Sequence, residues 1–305
     1  MPDARCLPGA LEHLLRSYCA GEMPIGVALM HLSMATRSVD ELLTALDTSS
    51  LRREDQTTLA SNRLDELREL AFGSPDAWET VRNIAATLSH EPEQHPNAEA
   101  AIGKIAAAFD RAVSVSPEGS VALYSLGRPD LLGAATSEIV EFMRGQGLLR
   151  PDRVLLDVGC GIGRFELALA PWVARIIGVD ISARMLEIAR TRCAGSQNVS
   201  FRLSTGAHLP DFPKASFDCI FAVDSFPYIV QADPSLPGRY VRDATHLLKA
   251  GGNLLILNFS YRSDLTADPR EVEHLSCRNG LEILRIGERP FHLWDGRVFH
   301  LRKPL

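Results

Sequence analysis

The stretch of sequence that decides the fold runs from Val154 to Ser182 and reads VLLDVGCGIGRFELALAPWVARIIGVDIS. It begins with an apolar run, Val154 to Leu156, that is too short for a helix and rich in branched side chains, which predicts a buried strand ending at Asp157. Three glycines on alternate positions follow. They relax the steric limits on φ and let backbone N–H groups approach a ligand above the strand end. The turn they form is Gly159-Cys160-Gly161-Ile162-Gly163.

A helix and a second strand follow this turn. Arg164 to Ala170 has the apolar stripe of a helix, and Ile176 to Val179 predicts a strand that delivers Asp180, 23 residues after Asp157. This is the layout of a nucleoside-binding βαβ unit, in which the downstream acid accepts hydrogen bonds from ribose hydroxyls. Dinucleotide binders space their glycines as G-x-G-x-x-G and place a pyrophosphate on the helix N-terminus. Here the spacing is G-x-G-x-G after an acid, so the sequence favours a cationic nucleoside.

These residues carry a resemblance to a known family. LLDVGCGIGR, followed by GVDIS, resembles the first and second motifs of the class I S-adenosylmethionine-dependent methyltransferases. The resemblance extends over about Asp130 to Leu305 and implies S-adenosylmethionine as the cofactor. It also implies a doubly wound, seven-stranded, mostly parallel α/β sheet of Rossmann type.

The resemblance also implies a set of cofactor-binding residues. In similar proteins the residue after the second acid packs on adenine, and residues after the third strand, Val199 to Leu203, contact the adenine ring. Many members carry an acid near Thr205; this chain does not, so the hydroxyl of Thr205 or the backbone after it would read adenine instead. The full expected set is Tyr124, Asp157, Gly159, Cys160, Gly161, Gly163, Asp180, Ile181, Met185, Thr205, Gly206, Ala207 and Asp224.

Candidate catalytic residues follow the predicted fourth strand. Ser216 to Val223 resembles the SFDxV strand of the family and leads to Asp224-Ser225-Phe226-Pro227-Tyr228. That segment partly resembles the [DNS]-P-P-[YF] motif of amino-group methyltransferases, with Phe226 in place of the first proline. The expected catalytic residues are therefore Asp224 and Tyr228, with His292 as a candidate base.

The rest of the sheet is predicted from the C-terminal region. Leu247 to Gly252 resembles the LKPGG turn before the fifth strand, Asn253 to Asn258. Leu281 to Ile286 and Val298 to Leu301 predict the last two strands. Asp295-Gly296 is a two-residue hairpin signal, and such a turn would place Trp294 opposite Arg297 and His292 opposite Phe299.

The first 115 residues carry helical patterns and no chemical motif, so we expect two domains, residues 1–115 and 116–305. The N-terminal region is expected either to cap the cofactor cleft or to mediate homodimerisation. The predicted helices are Leu11–Tyr18, Gly26–Met34, Ser38–Leu46, Leu51–Phe72, Ala77–Leu88 and Ala98–Val113.

Composition limits the partners. The net charge is −6, and residues 1 to 150 carry 13 basic against 21 acidic side chains, so there is no basic excess to bind nucleic acid. The N-terminus lacks a basic segment followed by an apolar one, and no run of 18 apolar residues occurs, which predicts a cytoplasmic protein with no membrane partner. No spacing of His, Cys and acidic residues resembles a metal site.

Taken together, these features predict methyl transfer from S-adenosylmethionine to oxygen or nitrogen of a small molecule. Two alternatives stay open. The acceptor could be a protein side chain, or the chain could be a regulatory module that binds the cofactor without turning it over.

Overall fold

A computed structural model of the chain describes residues 7–49, 51, 58–88, 95–262 and 264–305. Within these residues the N-terminal region is helical, as predicted; of the predicted helix Leu51–Phe72, residues 52–57 lie outside the described residues. The side chain of Ser38 caps its helix by accepting from the amide of Glu41. The helices are α1 (Leu7–Cys19), α2 (Ile25–Ala35), α3 (Val39–Thr48), α4 (Thr58–Phe72), α5 (Ala77–Thr87), α6 (Ala98–Val115), α7 (Pro117–Val121) and α8 (Pro129–Gly145).

The second half of the chain forms the predicted seven-stranded sheet. Its strands are β1 (Val154–Val158), β2 (Arg175–Asp180), β3 (Val199–Leu203), β4 (Phe217–Val223), β5 (Leu248–Leu257), β6 (Glu282–Glu288) and β7 (Val298–Arg302). Their order is β3-β2-β1-β4-β5-β7-β6. β3, β2, β1, β4 and β5 pair in parallel, and β7 is antiparallel to both neighbours. The fold class inferred from the sequence is therefore confirmed.

The central strands are apolar almost throughout because both faces of a parallel sheet are covered by helices. Leu155 and Leu156 on β1 are fully buried, as are Ile220 and Phe221 on β4. The flanking helices are α9 (Arg164–Leu169), α10 (Ala183–Arg192), α11 (Phe226–Ala232), α12 (Leu236–Leu247) and α13 (Ala267–Asn279). Ser182 caps α10 by accepting from the amide of Met185.

The chain divides into two compact units. Of the described residues, the helical unit comprises those within 7–87, 112–135 and 292–295, and the sheet unit comprises those within 88–111, 136–291 and 296–305. The helical unit has a core of its own, in which Leu15, Leu32 and Leu64 are fully enclosed. The division differs from the single boundary expected after residue 115, because most of α6 groups with the sheet.

The predicted two-residue hairpin at Asp295-Gly296 is wrong. β6 and β7 pair with Glu288 opposite Val298 and Ile286 opposite Phe299, so nine residues, 289–297, connect them. Trp294 does not lie opposite Arg297, nor His292 opposite Phe299. Trp294 is instead 2% exposed and stacks on Tyr124 within the helical unit, with ring centroids 6.1 Å apart. That packing holds residues 292–295 out of the ladder.

The predicted turn before the fifth strand is also corrected. β5 already begins at Leu248, which pairs with Phe217, and the register then shifts before Cys219 pairs with Asn253. Gly251 has φ +71 within this irregular part of the strand. The glycines therefore accommodate a bulge inside β5 where the sequence predicted a turn ahead of it.

Candidate active site

The glycine turn after β1 has the backbone that the sequence predicts. Gly159, Gly161 and Gly163 have φ values of +78°, +53° and +74°, in the left-handed region that side chains disfavour. A Cβ added at Gly159 would lie 2.3 Å from Cβ of Ser225, and one at Gly163 would lie 3.0 Å from Cβ of Ala189. These two positions therefore require glycine because of close packing inside the protein, in addition to any requirement that a ligand imposes. Cys160, between them, is buried.

Asp180 ties the tip of β2 to this turn. Its Oδ2 accepts from the amide of Gly161 and its Oδ1 from the amide of Ser182, both at 2.8 Å. Burial raises the pKa of Asp180, and the backbone hydrogen bonds oppose that shift. A carboxylate oxygen can accept more than one hydrogen bond, so Asp180 remains able to accept from a ligand hydroxyl while the amides fix its orientation.

Asp157 lies on β1, next to β2, and its carboxyl group is buried. Its side chain is 1% exposed, and no amide, hydroxyl or basic side chain in the described part of the chain donates to either oxygen. A buried carboxyl without donors is costly unless it is neutral or a cation pairs with it. Among the predicted residues, this is the group whose environment most clearly calls for a positively charged partner.

The loop after β3 brings the predicted adenine-contacting residues together. A Cβ added at Gly206, which has φ +77°, would lie 2.6 Å from Cγ2 of Ile102 and 3.0 Å from Cγ2 of Ile181. The amide of Gly206 donates to Oγ of Ser204, and the amide of Ala207 donates weakly to Oγ1 of Thr205, at 3.4 Å. Adenine recognition by those amides would therefore compete with bonds already present.

Ile102, on α6, is a residue that the sequence reasoning missed. It is buried in the sheet unit's core against the same residues that the resemblance assigns to adenine. On the same helix, Oδ1 of Asp110 accepts from the hydroxyl of Ser182 at 2.5 Å. The ring of Phe109 contacts Tyr228 edge to face at 4.8 Å. Helical periodicity alone could not indicate which face of α6 meets the sheet.

The tip of β4 holds the candidate catalytic residues. Asp224 has φ +58°, and its Oδ1 accepts from Nδ2 of Asn258 at 3.0 Å and from the hydroxyl of Tyr261 at 2.8 Å. The rings of Tyr261 and Tyr228 meet edge to face at 5.8 Å, and their hydroxyls also interact. Asp224, Tyr228, Tyr261 and Asn258 therefore form one connected polar group.

Tyr261 and Asn258 were missed from the sequence, although a signal for Asn258 existed. β4 and β5 pair in parallel with Val223 opposite Leu257, so the residue after β5 must lie beside Asp224. Burial first and the charge of Asp224 second raise the pKa of Tyr228 above the usual range for tyrosine. The phenol of Tyr228 therefore stays protonated at neutral pH.

The remaining predicted residues are not part of this polar group. Tyr124 and His292 belong to the helical unit, where Tyr124 is buried and His292 is exposed. Met185 is buried in the first turn of α10, in the sheet unit. The structure therefore gives no support for His292 as a base.

Comparison with known proteins agrees with this geometry. Residues 156–256 match the model of a methyltransferase domain. The demethylmenaquinone methyltransferase of Tropheryma whipplei (strain Twist) is 41% identical over 107 residues, which are 35% of this chain and 42% of the relative. Phosphoethanolamine N-methyltransferase 1 of Arabidopsis thaliana is 35% identical over 147 residues, 47% of this chain and 27% of that protein.

A solved structure shares the fold. Phosphoethanolamine N-methyltransferase 1 of Haemonchus contortus, in complex with phosphoethanolamine and S-adenosylhomocysteine, aligns with a TM-score of 0.54 at 17% identity. The alignment covers 69% of this chain and 51% of that one. The sheet unit thus has the fold of that methyltransferase, and residues 156–256 within it match a methyltransferase domain.

The chain spans about half the length of the curated relatives that it matches first. Similarity over that length does not by itself identify an acceptor. Across the described ranges, no helix is long and apolar enough to cross a membrane, and no group of three or more His, Cys, Asp or Glu side chains could hold a metal ion.

Proposed function

We propose that this chain transfers a methyl group from S-adenosylmethionine to oxygen or nitrogen of a small molecule by in-line displacement. The observation that carries the proposal is the strand order, which reverses between β1 and β4. Ligands of open α/β sheets bind at such a switch point, beyond the carboxyl ends of the strands. Here that crevice has the glycine turn and Asp180 on one side and Asp224 on the other.

The chain's own residues divide the work between the two sides. Asp180 would accept from the ribose hydroxyls, and Asp157 would pair with the positively charged ammonium group of the cofactor. When bound, the cofactor supplies an electrophilic methyl group on a sulfonium. Alignment of two reactants can lower the activation free energy by about 7–11 kcal/mol, so methyl transfer does not need a catalytic triad. Asp224 would take the proton that a hydroxyl or amine acceptor loses, and Tyr228 and Tyr261 would orient the acceptor.

We also propose that α6 caps the cofactor cleft. Its residues 98–111 group with the sheet unit, and they reach three strand ends there. Ile102 contacts the loop after β3, Asp110 binds Ser182 after β2, and Phe109 packs on Tyr228 after β4. These contacts favour the cap over the dimerisation element that the sequence left open.

Calorimetry with S-adenosylmethionine is the first test. We expect binding by the wild type, at least tenfold weaker binding by Asp180→Asn, and little change for Asp211→Asn, which replaces a more exposed carboxylate. No binding by the wild type at hundreds of micromolar would refute the proposed function.

The acceptor class is tested separately. Incubation with methyl-labelled cofactor and a fractionated lysate should place label in the small-molecule pool. Label in protein alone would favour a protein side chain as acceptor, and binding without transfer to any fraction would favour a regulatory module.

A further inference from the structure

Two acidic side chains lie together beneath the glycine turn, and only one of them was expected. Asp157 is 1% exposed and Glu166, on α9, is 0% exposed. In the part of the chain that the structure describes, no amide, hydroxyl or basic side chain of another residue donates to either carboxyl group. Two such groups cannot both be buried as anions without a large desolvation penalty.

The position of Glu166 follows from a glycine on the neighbouring strand. Asp157 pairs in register with Gly178 on β2, and paired residues of parallel strands point to the same face of the sheet. A Cβ added at Gly178 would lie 2.3 Å from Oε1 of Glu166. The carboxyl of Glu166 therefore occupies the side-chain position of residue 178, directly beside the carboxyl of Asp157.

The surrounding charges do not neutralise this pair. Burial first and the charge of Asp157 second raise the pKa of Glu166 well above its usual range. Burial also raises the pKa of Asp157 well above its usual range, and the positive charge of Arg164 opposes that shift. Among the described residues, Arg164 is the one basic side chain whose charge lowers the pKa of both acids. Two carboxyls held this close titrate as a unit, and one of them keeps a proton. The other ionisable groups that face the pair are Asp180 and the thiols of Cys160, Cys193 and Cys219.

We propose that Asp157 and Glu166 share one proton in the free protein and release it when the ammonium group of the cofactor binds beside Asp157. Glu166 is then a positioning residue: it donates the shared proton to Asp157, fixes that carboxyl, and keeps the empty site from carrying two buried negative charges. On binding, the proton passes to solvent and the ammonium group replaces it as the partner of Asp157. The inference rests on the proposed function, because it requires the cofactor to bind.

Proton release can be counted by calorimetry in two buffers of different ionisation enthalpy at pH 7. S-Adenosylhomocysteine is the better probe, because it keeps the ammonium group and lacks the sulfonium charge. We expect the wild type to release up to about one proton per bound molecule, with affinity rising as pH rises. Glu166→Gln places an amide donor beside Asp157, so it should bind without releasing a proton and with affinity independent of pH.

Glu187→Gln is the matched control, because Glu187 is exposed on α10 and should behave like the wild type. Binding by the wild type without proton release would overturn the inference and leave the proposed function standing. Release that persists in Glu166→Gln would also overturn it. Infrared spectra of the free wild-type protein at neutral pH provide a test without cofactor: they should show a protonated carboxyl, and a spectrum with carboxylates alone would refute the shared proton.

Discussion

Replacing Gly159 with alanine tests how closely the tip of β4 packs on the glycine turn. The added Cβ would meet Cβ of Ser225 at 2.3 Å and its Oγ at 2.9 Å, and the next atom is Cα of the same serine at 3.7 Å, an ordinary contact. The hydroxyl of Ser225 also donates to the carbonyl of Val158. The clash therefore comes from one side chain, which a second substitution can remove.

The expected magnitude has three parts. Alanine at φ +78° costs about 1–2 kcal/mol, as for any non-glycine residue in the left-handed region. Forced displacement of Ser225 adds about 1–3 kcal/mol of overpacking. Loss of its hydrogen bond adds about 1 kcal/mol. Gly159→Ala should therefore lower the free energy of unfolding by about 3–6 kcal/mol, a large part of the stability of an ordinary domain.

Urea unfolding of Gly159→Ala, Ser225→Gly, their double variant and Gly147→Ala measures these three contributions to the free energy of unfolding. Gly147→Ala is the control, because Gly147 has φ +69° and nothing within 4 Å of its Cβ position, so it should lose about 1–2 kcal/mol only. In the double variant Gly159→Ala/Ser225→Gly the overlap is gone and the hydrogen bond of Ser225 is lost only once, so the loss should fall about 2–4 kcal/mol short of the sum of the single losses. Additive losses, or a Gly159→Ala variant no less stable than Gly147→Ala, would show that the β4 tip does not pack on the turn.

Three other predictions concern single side chains. Burial first and nearby arginines second lower the pKa of His300 to about 4, so the folded state keeps this imidazole neutral. The resulting stability, about 3 kcal/mol, is fully present above pH 6.5 and is lost as pH falls from 6.5 to 4. His300→Gln should therefore reduce the change in the free energy of unfolding over that pH range, and an unchanged pH dependence would contradict the assignment. Tyr261→Phe removes a donor that orients the carboxyl of Asp224, so kcat should fall about tenfold, and a kcat equal to that of the wild type would exclude a part for Tyr261 in catalysis. Ile102→Ala should lower the free energy of unfolding by about 2–4 kcal/mol, because Ile102 is buried. If α6 caps the cleft, the same change should raise the Kd of S-adenosylhomocysteine about tenfold. A loss of stability without any change in Kd would limit α6 to a structural role.

The sequence anticipated the structure around the glycine turn better than the structure around the tip of β4. The glycine turn and Asp180 come from one continuous stretch, where local strand, turn and helix signals agree. Asp224 was found because it follows a recognisable strand. Tyr261 was not, because it lies 37 residues further on and reaches Asp224 only through the pairing of β4 with β5.

Two misses share one cause. Glu166 reads as an ordinary first-turn acid on a helix, and its burial depends on Gly178 leaving space on the next strand. Asp295-Gly296 carries a strong local turn signal, yet the packing of Trp294 on Tyr124 overrides it. In both cases a residue far along the chain decides the outcome.

By itself the sequence determined the class of fold, the βαβ unit and the glycine turn, and it predicted a nucleoside cofactor. These depend on short-range periodicity and on backbone conformations that only certain residues adopt. The tertiary structure alone decided which groups surround Asp224, which face of α6 meets the sheet, and that a second acid lies beside Asp157. Those features depend on contacts between distant segments, where burial and the space left by a neighbour fix each side chain's environment and charge.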